Sequence, residues 1–316
     1  DETIYDAKTP RLRTTPQYTA YVKIAEGCDH RCAFCAIPLI RGSFRSREME
    51  DILAEARELS ESGVREVVLI AQDSANYGVD RYKKPMLPAL LRELAKIEKI
   101  AWIRVLYSYP KYFTDELIDV FATEPKVVKY VDLPLQHAHN ALLRAMNRSD
   151  TRESVEKLIK RLRERIPGVA IRSTFIVGFP GETDTHYQAL RSFVEEQRFD
   201  KMGVFTYSEE EDTPAATMMQ KVSEEVMQER YHDLMSLQSK ISEEINIGLE
   251  DQEMDVLIEG RDSEQQVITV GRSYREAPEV DGQIYIEGDT ESSVGEIVRV
   301  RLLQGFTYDI VGERVH

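Results

Sequence analysis

The chain has 316 residues, 42% of them hydrophobic and 31% charged, a composition typical of a globular protein with room for about two domains. Its longest purely apolar run, Val67–Ala71, is far too short to cross a bilayer, so we predict no membrane partner. The formal net charge of −15 disfavours non-specific binding to a phosphate backbone.

The start of the chain contains a polar, proline-marked stretch, Lys8–Pro16, which is typical of a linker. We therefore expect residues 1–17 to be a linker from an upstream domain that this sequence lacks. No basic segment followed by an apolar run precedes the fold, so we expect a cytoplasmic location.

Short β-branched runs then alternate with amphipathic helical patterns. The strand candidates are Tyr21–Ala25, Val67–Ala71, Trp102–Tyr107, Val131–Leu135, Ile171–Val177 and Met202–Tyr207. Apolar residues at helical spacing between such runs indicate βα units on a parallel sheet. We predict an α/β fold in which about six βα units form a partial barrel over residues 18–245. Ligands of such folds gather at the carboxyl ends of the strands.

A long amphipathic helix is predicted over Glu224–Leu249, after which the apolar pattern changes to period two. Five short strands broken by Gly, Asp and Pro follow. They are Met254–Glu259, Gln266–Gly271, Gln283–Glu287, Ile297–Leu302 and Tyr308–Val311. We predict a small five-stranded antiparallel barrel of the oligonucleotide-binding type over residues 246–316.

The only cysteines of the chain are Cys28, Cys32 and Cys35, which directly follow the first predicted strand. A disulfide with one spare thiol is one interpretation, and an odd cysteine number disfavours it. A structural zinc site is another, but the nearby fourth ligand would be His30, between two of the cysteines. Iron–sulfur cubanes normally take four cysteines, so the spacing favours a cluster with one iron open to a reactive ligand.

Other polar or flexible residues follow further predicted strands and should meet the cysteine loop. Gln72 ends the second strand. Gln136 ends the fourth strand, where it can hydrogen-bond a ribose or the substrate. Gly178 and Gly181 follow the fifth strand, where their amides can approach an adenine.

Nearby residues have weaker signals. Thr183 can cap the next helix. Three arginines could meet a carboxylate or be solvated charges: Arg41, Arg45 and Arg47. His137 and His139 are more typical of hydrogen-bonded loop residues than of metal ligands.

The cysteine loop, with Phe34 before its last cysteine, resembles the radical S-adenosylmethionine enzymes. That resemblance implies a 4Fe-4S cluster on Cys28, Cys32 and Cys35, with the methionine part of S-adenosylmethionine on the fourth iron. It also implies that Phe34 lies against the adenine, although wall packing is an equal alternative. The family's Gly-Gly-Glu, which binds the methionine amino end, stands here as Ala71-Gln72-Asp73.

Further motifs resemble the methylthiotransferase subfamily, in which a radical barrel precedes a small β-barrel called a TRAM domain. They are Ile70–Asp73 with Tyr77-Gly78, Leu133–His137 with Met146-Asn-Arg148, Gly178–Thr183 and Ala277–Gly282. These motifs resemble the branch that modifies a ribosomal protein.

The resemblance implies methylthiolation of the β-carbon of an aspartate on the twelfth small-subunit ribosomal protein. It also implies a flavodoxin- or ferredoxin-type electron donor, and a second 4Fe-4S cluster in the missing upstream domain. Without that domain, full turnover is expected to be incomplete.

Charge separates this interpretation from its alternatives. Residues 245–316 contain 16 acidic and 6 basic residues, which suits a basic ribosomal protein better than transfer RNA. The alternatives are a transfer RNA adenosine methylthiotransferase, and a non-catalytic ribosome- or nucleic-acid-binding module with a structural cluster.

Overall fold

A computed structural model of the chain describes residues 6–7, 13–262 and 268–316. The predicted linker therefore lies largely outside the described residues, as does the start of the predicted strand Gln266–Gly271. In the part of the chain that is described, no helix has the length and apolar character needed to cross a membrane.

The first domain alternates strands with helices in the predicted manner. Its strands are β1 (Thr19–Lys23), β2 (Ala25–Glu26), β3 (Arg45–Ser46), β4 (Glu66–Ile70), β5 (Trp102–Val105), β6 (Tyr130–Gln136), β7 (Ala170–Val177) and β8 (Lys201–Thr206). Its α-helices are α1 (Ile37–Arg41), α2 (Met49–Glu61), α3 (Val79–Tyr82), α4 (Leu87–Ala95), α5 (Asp115–Thr123), α6 (Asn140–Ala145), α7 (Arg152–Arg165) and α8 (Asp184–Gln197). Single 3-10 turns occupy Ser74–Asn76, Pro110–Tyr112 and Pro214–Thr217.

Six parallel strands form the partial barrel. β4 pairs with β1 and β5, and β7 pairs with β6 and β8, all in parallel. A parallel bridge between Ile103 and Val127 joins the two three-stranded sheets. The predicted α/β partial barrel is therefore confirmed. The first predicted strand is divided in two, because β2 turns away to pair with β3.

The apolar core of this domain lies between the strands and the surrounding helices. Alternate strand residues such as Val67 and Leu69 are fully buried against helix residues such as Leu90 and Leu91. The helices begin at sequence-encoded caps: the Thr151 and Thr183 side chains form capping boxes at α7 and α8. Thr183 therefore caps the next helix as predicted.

A long helix, α9 (Glu224–Ile247), leads to the terminal domain, close to the predicted bounds. The terminal strands are β9 (Glu253–Arg261), β10 (Thr269–Arg272), β11 (Ile284–Ile286), β12 (Ile297–Gly305) and β13 (Ile310–Arg314). They form a closed barrel in the order β10-β11-β13-β12-β9. Four of its five strand pairings are antiparallel. The pairing of β11 with β13 is parallel, which corrects the prediction of a wholly antiparallel barrel.

The last residue of β10 and the loop that follows it pack against one end of the βα barrel. Arg272 joins Arg104 on the buried carboxylate of Glu66, at 2.7 and 3.0 Å. Tyr130 donates a hydrogen bond of 2.6 Å to Asp281 on the same loop. Because Glu66 and Tyr130 are the first residues of their strands, this end is the amino end, opposite the cysteine loop.

Candidate functional site

The cysteine loop spans residues 27–44 and is closed at its base by the two-residue ladder of β2 and β3. Gly27 begins the loop with φ of 79°, and a Cβ there would lie 2.2 Å from the Ser43 carbonyl oxygen. The Cys28 amide donates to the Gly42 carbonyl at 3.1 Å. Only glycine fits this close approach, which directs the chain into the loop.

The far side of the loop is fixed by distant segments. The Ala33 amide donates to Met146 at 2.9 Å, and the Ala33 carbonyl accepts from Ala215 at 2.8 Å. The Asn147 side chain donates to the Arg31 carbonyl at 2.7 Å. The cysteines are thus held by backbone contacts from the end of α6 and from the turn after β8.

All three cysteines are free thiols, with Cys32 buried and Cys28 and Cys35 half-buried. Burial raises the pKa of the Cys28 thiol to about 11 and raises the pKa of Cys35 as well. A thiolate at these positions therefore needs a positive partner, which a coordinated metal provides.

Within residues 6–7, 13–262 and 268–316, no three His, Cys, Asp or Glu side chains come close enough to hold one metal ion. In a 4Fe-4S cluster, each cysteine binds a different iron, so the thiols do not need to meet at one point.

His30, the nearby fourth zinc ligand considered from the sequence, is engaged elsewhere. Its Nε2 lies 2.7 Å from Asp73, the residue after Gln72. Its ring stacks on Tyr109, with the ring centroids 3.9 Å apart. His30 therefore ties the cysteine loop to the carboxyl ends of β4 and β5.

Phe34 packs against a small apolar cluster that includes Phe179 and Ala215. Tyr207, which follows β8, packs against the same cluster. The Tyr207 hydroxyl is buried and has no hydrogen-bond partner among the described residues. Phe34 thus has the wall-packing role, and contact with an adenine remains a prediction.

Gln72 and Gln136 both lie at strand ends on this face. The Gln72 Oε1 is buried and accepts no hydrogen bond from the described residues, so it is available to an ammonium or hydroxyl donor. Gln136 has a left-handed backbone with φ of 72°, where the register between β6 and β7 shifts. Such strain in a non-glycine residue is typical of a functional position.

Gly178 and Gly181 do not offer their amides to a ligand. The Gly178 amide donates to Glu182 at 2.8 Å, and the Gly181 amide donates to the Gln220 carbonyl at 2.7 Å. Both have positive φ, and a Cβ on Gly178 would lie 2.1 Å from Met227. Their glycine requirement is therefore explained by backbone geometry, and adenine contact through their amides is not supported.

Glu182 joins this turn to β6 and α9. It accepts from His137 at 2.8 Å and from Arg230 at 2.7 Å. Burial tends to raise the pKa of Glu182, but the bonds from His137, Gly178 and Arg230 outweigh it and lower the pKa. His137 Nδ1 accepts from the His139 amide at 3.0 Å, so Nε2 carries the proton that faces Glu182.

The remaining candidates are structural. His139 caps α6 through Nδ1, which agrees with its predicted loop role. Arg47 is buried and pairs with Asp51 and Glu55, both at 2.6 Å. It is therefore neither a solvated charge nor a free ligand group.

The other two arginines stay close to their own loop. Arg45 donates to the Ser43 and Arg41 carbonyls at 2.9 and 3.2 Å. Arg41 is half-exposed and lies 3.8 Å from Glu26.

Sequence reasoning gave no role to Tyr109 or Arg148, and it placed Asp73 only at the methionine amino end. Asp73 and Tyr109 hold His30, and Arg148 lies over the Tyr109 ring, 4.0 Å from its centroid. The motif Met146-Asn-Arg148 was a signal for the last of these, but spacing along the chain gave it no role.

The residues present fit a cysteine-bound cluster with an amino-acid ligand on its open iron. Three thiols lie on one loop at the carboxyl face of the barrel, and a buried amide oxygen of Gln72 lacks a donor. A buried guanidinium, that of Arg148, completes a site suited to a negatively charged group.

Comparison with known proteins defines the class first. The model of the radical SAM superfamily matches residues 22–194, and that of the TRAM domain matches residues 252–315. The chain belongs to the radical SAM superfamily, and membership indicates a 4Fe-4S cluster and S-adenosylmethionine as cofactors.

Curated relatives then define the family. The chain is 50% identical over 310 residues to the ribosomal protein uS12 methylthiotransferase RimO of Desulforamulus reducens, covering 98% of this chain and 70% of the relative. It is equally identical over 310 residues to RimO of Geobacter sulfurreducens, covering 98% of this chain and 69% of the relative. The chain belongs to the RimO family of methylthiotransferases, and the predicted family is confirmed.

Solved structures show the same fold at low identity. A radical S-adenosylmethionine methyltransferase from Kitasatospora setae, TsrM, matches with a TM-score of 0.52 and 20% identity, covering 62% of this chain and 38% of that chain. Coproporphyrinogen III oxidase (HemN) from Escherichia coli matches with a TM-score of 0.52 and 17% identity, covering 70% of this chain and 52% of that chain.

Proposed function

We propose that the protein is a radical S-adenosylmethionine methylthiotransferase that acts on the β-carbon of an aspartate of ribosomal protein uS12. The observation that carries this proposal is identity of about one half, over nearly the whole chain, with relatives that bear that activity in their name. The three-thiol loop at the carboxyl face of the barrel provides the chemistry that such a reaction needs.

In this proposal, Cys28, Cys32 and Cys35 would hold a 4Fe-4S cluster through their three thiolates. When bound and reduced, such a cluster would supply the electron that splits the sulfonium of S-adenosylmethionine. Gln72 accepts a hydrogen bond from the methionine ammonium through its free Oε1. Gln136, strained at its strand end, orients the ribose or the substrate.

The apolar wall serves the nucleoside end of the same ligand. Phe34 and Tyr207, which pack against the same apolar cluster, exclude water on the adenine side. Gly178 and Gly181 allow the tight turn that keeps this wall close to the cysteine loop.

The acidic terminal domain is the proposed docking surface for the basic ribosomal protein. Two of its six basic residues, Arg272 and Arg275, are buried against the βα barrel. Two of its acidic residues, Glu276 and Asp289, are buried as well, so the surface keeps the acidic excess of the sequence. Its exposed carboxylates are Asp251, Glu253, Asp255, Glu279, Glu287, Glu291 and Glu313. Such a surface attracts a basic protein and repels transfer RNA.

Three further expectations remain predictions. A flavodoxin- or ferredoxin-type protein delivers the electron. The second, sulfur-handling cluster needs ligands other than Cys28, Cys32 and Cys35, since the chain holds no further cysteine. A ribosomal substrate implies a cytoplasmic location.

The cluster is tested by anaerobic reconstitution of the protein with iron and sulfide. We expect about four irons per chain, and 5′-deoxyadenosine after reduction in the presence of S-adenosylmethionine. Cys32→Ala should lose both signals, while Ser43→Ala, at an exposed position of the same loop, should keep them. Iron retained when all three cysteines are replaced by alanine would contradict the proposal, as would preferential loading with zinc.

The substrate is tested separately from sulfur transfer. The protein is incubated with S-adenosylmethionine, a reductant and uS12 that carries deuterium on its aspartate β-carbons. We expect deuterium in the 5′-deoxyadenosine, which requires no second cluster. Deuterium from a labelled transfer RNA, with none from uS12, would support the transfer RNA alternative instead.

A further inference from the structure

Arg148 is a buried cation next to one of the cysteines. It follows α6 and is only 8% exposed. Its Nη1 lies 3.9 Å from the Cys32 sulfur, within the range of a weak hydrogen bond to sulfur. Its Nη2 donates to the Pro134 carbonyl at 2.8 Å, which fixes the direction of the guanidinium.

Among the described residues, this cation has one ion-pair partner, the carboxylate of Asp150. Asp150 lies 3.5 Å away, at the limit of a hydrogen bond. Burial raises the pKa of the Asp150 carboxyl, although Arg148 tends to lower it. The Arg148 Nε is buried and has no acceptor among the described residues. A buried charge without full compensation is costly, so an anionic partner is expected at this position.

A stack of side chains holds the guanidinium in place. Arg148 lies 4.0 Å from the centroid of the Tyr109 ring, and His30 stacks on the same ring at 3.9 Å. Asp73 accepts from the Tyr109 amide at 3.0 Å and pairs with His30 at 2.7 Å. Four segments of the chain thus fix the position of Arg148 relative to the Cys32 sulfur.

We infer that Arg148 is a positioning residue for the cluster: it donates a hydrogen bond to the Cys32 sulfur and keeps a fixed positive charge beside the bound cluster. The inference rests on the proposed cluster at Cys28, Cys32 and Cys35. Hydrogen bonds to the sulfurs and nearby charge both set the reduction potential of an iron–sulfur cluster. A positive charge stabilises the reduced, more negative form, so Arg148 raises the midpoint potential.

The test is a redox titration of the reconstituted protein, followed by electron paramagnetic resonance. Arg148→Gln should shift the midpoint potential to a more negative value, and Arg148→Lys should recover most of the shift because it retains the charge. Arg144→Gln is the matched control, since it removes the same charge from an exposed position on α6. The control should leave the potential unchanged.

A second measurement uses the wild-type chain and does not depend on the folding of a variant. With ¹⁵N-labelled arginine, pulsed resonance of the reduced protein should detect an arginine nitrogen coupled to the cluster. Absence of that coupling, or a wild-type potential in fully loaded Arg148→Gln, would overturn the inference and leave the proposed function intact. A wild-type protein that binds no cluster would instead overturn the proposed function.

Discussion

The two ends of the βα barrel interior differ in whether their buried polar groups have partners within the protein. At the amino end, the last residue of β10 and the loop that follows it pack against the strands, and every major charge has a partner: Glu66 binds two arginines, and Asp281 binds Tyr130 and Arg172. At the carboxyl end, polar atoms of Gln72, Tyr207 and Arg148 are buried without partners among the described residues.

Buried polar groups in folded proteins are nearly always paired, so the exceptions require an explanation. The amino end is satisfied because it only has to hold two domains together. At the carboxyl end, the proposed cluster and S-adenosylmethionine would supply the missing partners. Buried atoms without a hydrogen-bond partner among the described residues also occur elsewhere, at Gln238, Asp289 and Arg272, so such atoms indicate the functional end only together with the cysteine loop.

Of the substitutions considered, replacement of Glu66 should destabilise the paired charges of the amino end most strongly. Glu66→Gln removes the carboxylate that pairs with the buried Arg104 and leaves Arg272 with Glu259 alone, so we expect a loss of about 3–5 kcal/mol in the free energy of unfolding. Urea denaturation followed by the fluorescence of Trp102, the single tryptophan, measures it. The exposed control Glu58→Gln should change stability by less than about 0.5 kcal/mol.

Lowering the pH should remove the difference in stability between wild type and Glu66→Gln. Burial raises the pKa of Glu66, but Arg272 and Arg104 outweigh it and lower the pKa to about 2. A carboxyl with a lowered folded pKa stabilises above its unfolded pKa of about 4.3 and loses that contribution as pH falls further. The gap between wild type and Glu66→Gln should therefore narrow from about pH 4 towards pH 2. Equal stability of the two proteins at neutral pH would refute the pairing.

The carboxyl end has polar groups without partners in the described part of the chain, but we expect its backbone packing to be rigid. Substitution of Gly178 tests that rigidity. Gly178→Ala adds left-handed strain and a Cβ 2.1 Å from Met227, so we expect a loss of about 2–4 kcal/mol in unfolding free energy. The control Gly63→Ala has left-handed strain but no atom within 4 Å of the new Cβ, and should lose about 1 kcal/mol.

A double-mutant cycle isolates the clash from the strain. Met227→Ala should relieve the contact, so the combined variant should be more stable than the sum of the two single changes predicts, by about 1–2 kcal/mol. If the two losses of unfolding free energy are strictly additive, then the packing around Gly178 accommodates the new Cβ without a clash, and the carboxyl end is not rigid.

Asp132 lies between the two ends and should respond in the opposite direction to Glu66. Burial raises its pKa to about 6, which Arg172 and the Tyr107 amide only partly oppose. A carboxyl with a raised folded pKa costs stability as pH rises from its unfolded pKa of about 3.9 to about 6. Asp132→Asn should therefore be about 2 kcal/mol more stable than wild type at pH 8 and equal to it below about pH 4.

Thermal unfolding across that pH range measures this effect, with the exposed Asp212→Asn as a control. A pH-independent difference, or a loss of stability at pH 8, would mean that Asp132 is ionised and well paired. Asp132 would then resemble the charged residues of the amino end, which have partners.

Most of the fold was predictable because it is encoded in local patterns. The six βα strands, the long helix and the terminal strands follow from periods of 3.6 and 2. The short pair β2 and β3 and the parallel pairing of β11 with β13 were not predicted, because two-residue strands and strand direction leave no periodic signal.

The candidate site was predicted less completely. Strand ends correctly brought Gln72 and Gln136 to the face that holds the cysteine loop. The expectation that the amides of Gly178 and Gly181 approach an adenine is not supported, since both amides are already bonded within the protein. Arg47 was misjudged because its partners lie on the following helix, where sequence spacing alone does not distinguish an ion pair from a solvated face.

The sequence by itself determined the class of fold, the three-thiol loop and the family. Periodicity, cysteine spacing and family motifs are short patterns that can be read along the chain. Only the tertiary structure decided which polar groups are free and which cation lies beside Cys32. Arg148 and Cys32 are 116 residues apart, and their contact exists only because strands and helices between them fold back on the same face. The balance of buried charge is set by such distant contacts, and it therefore cannot be read along the chain.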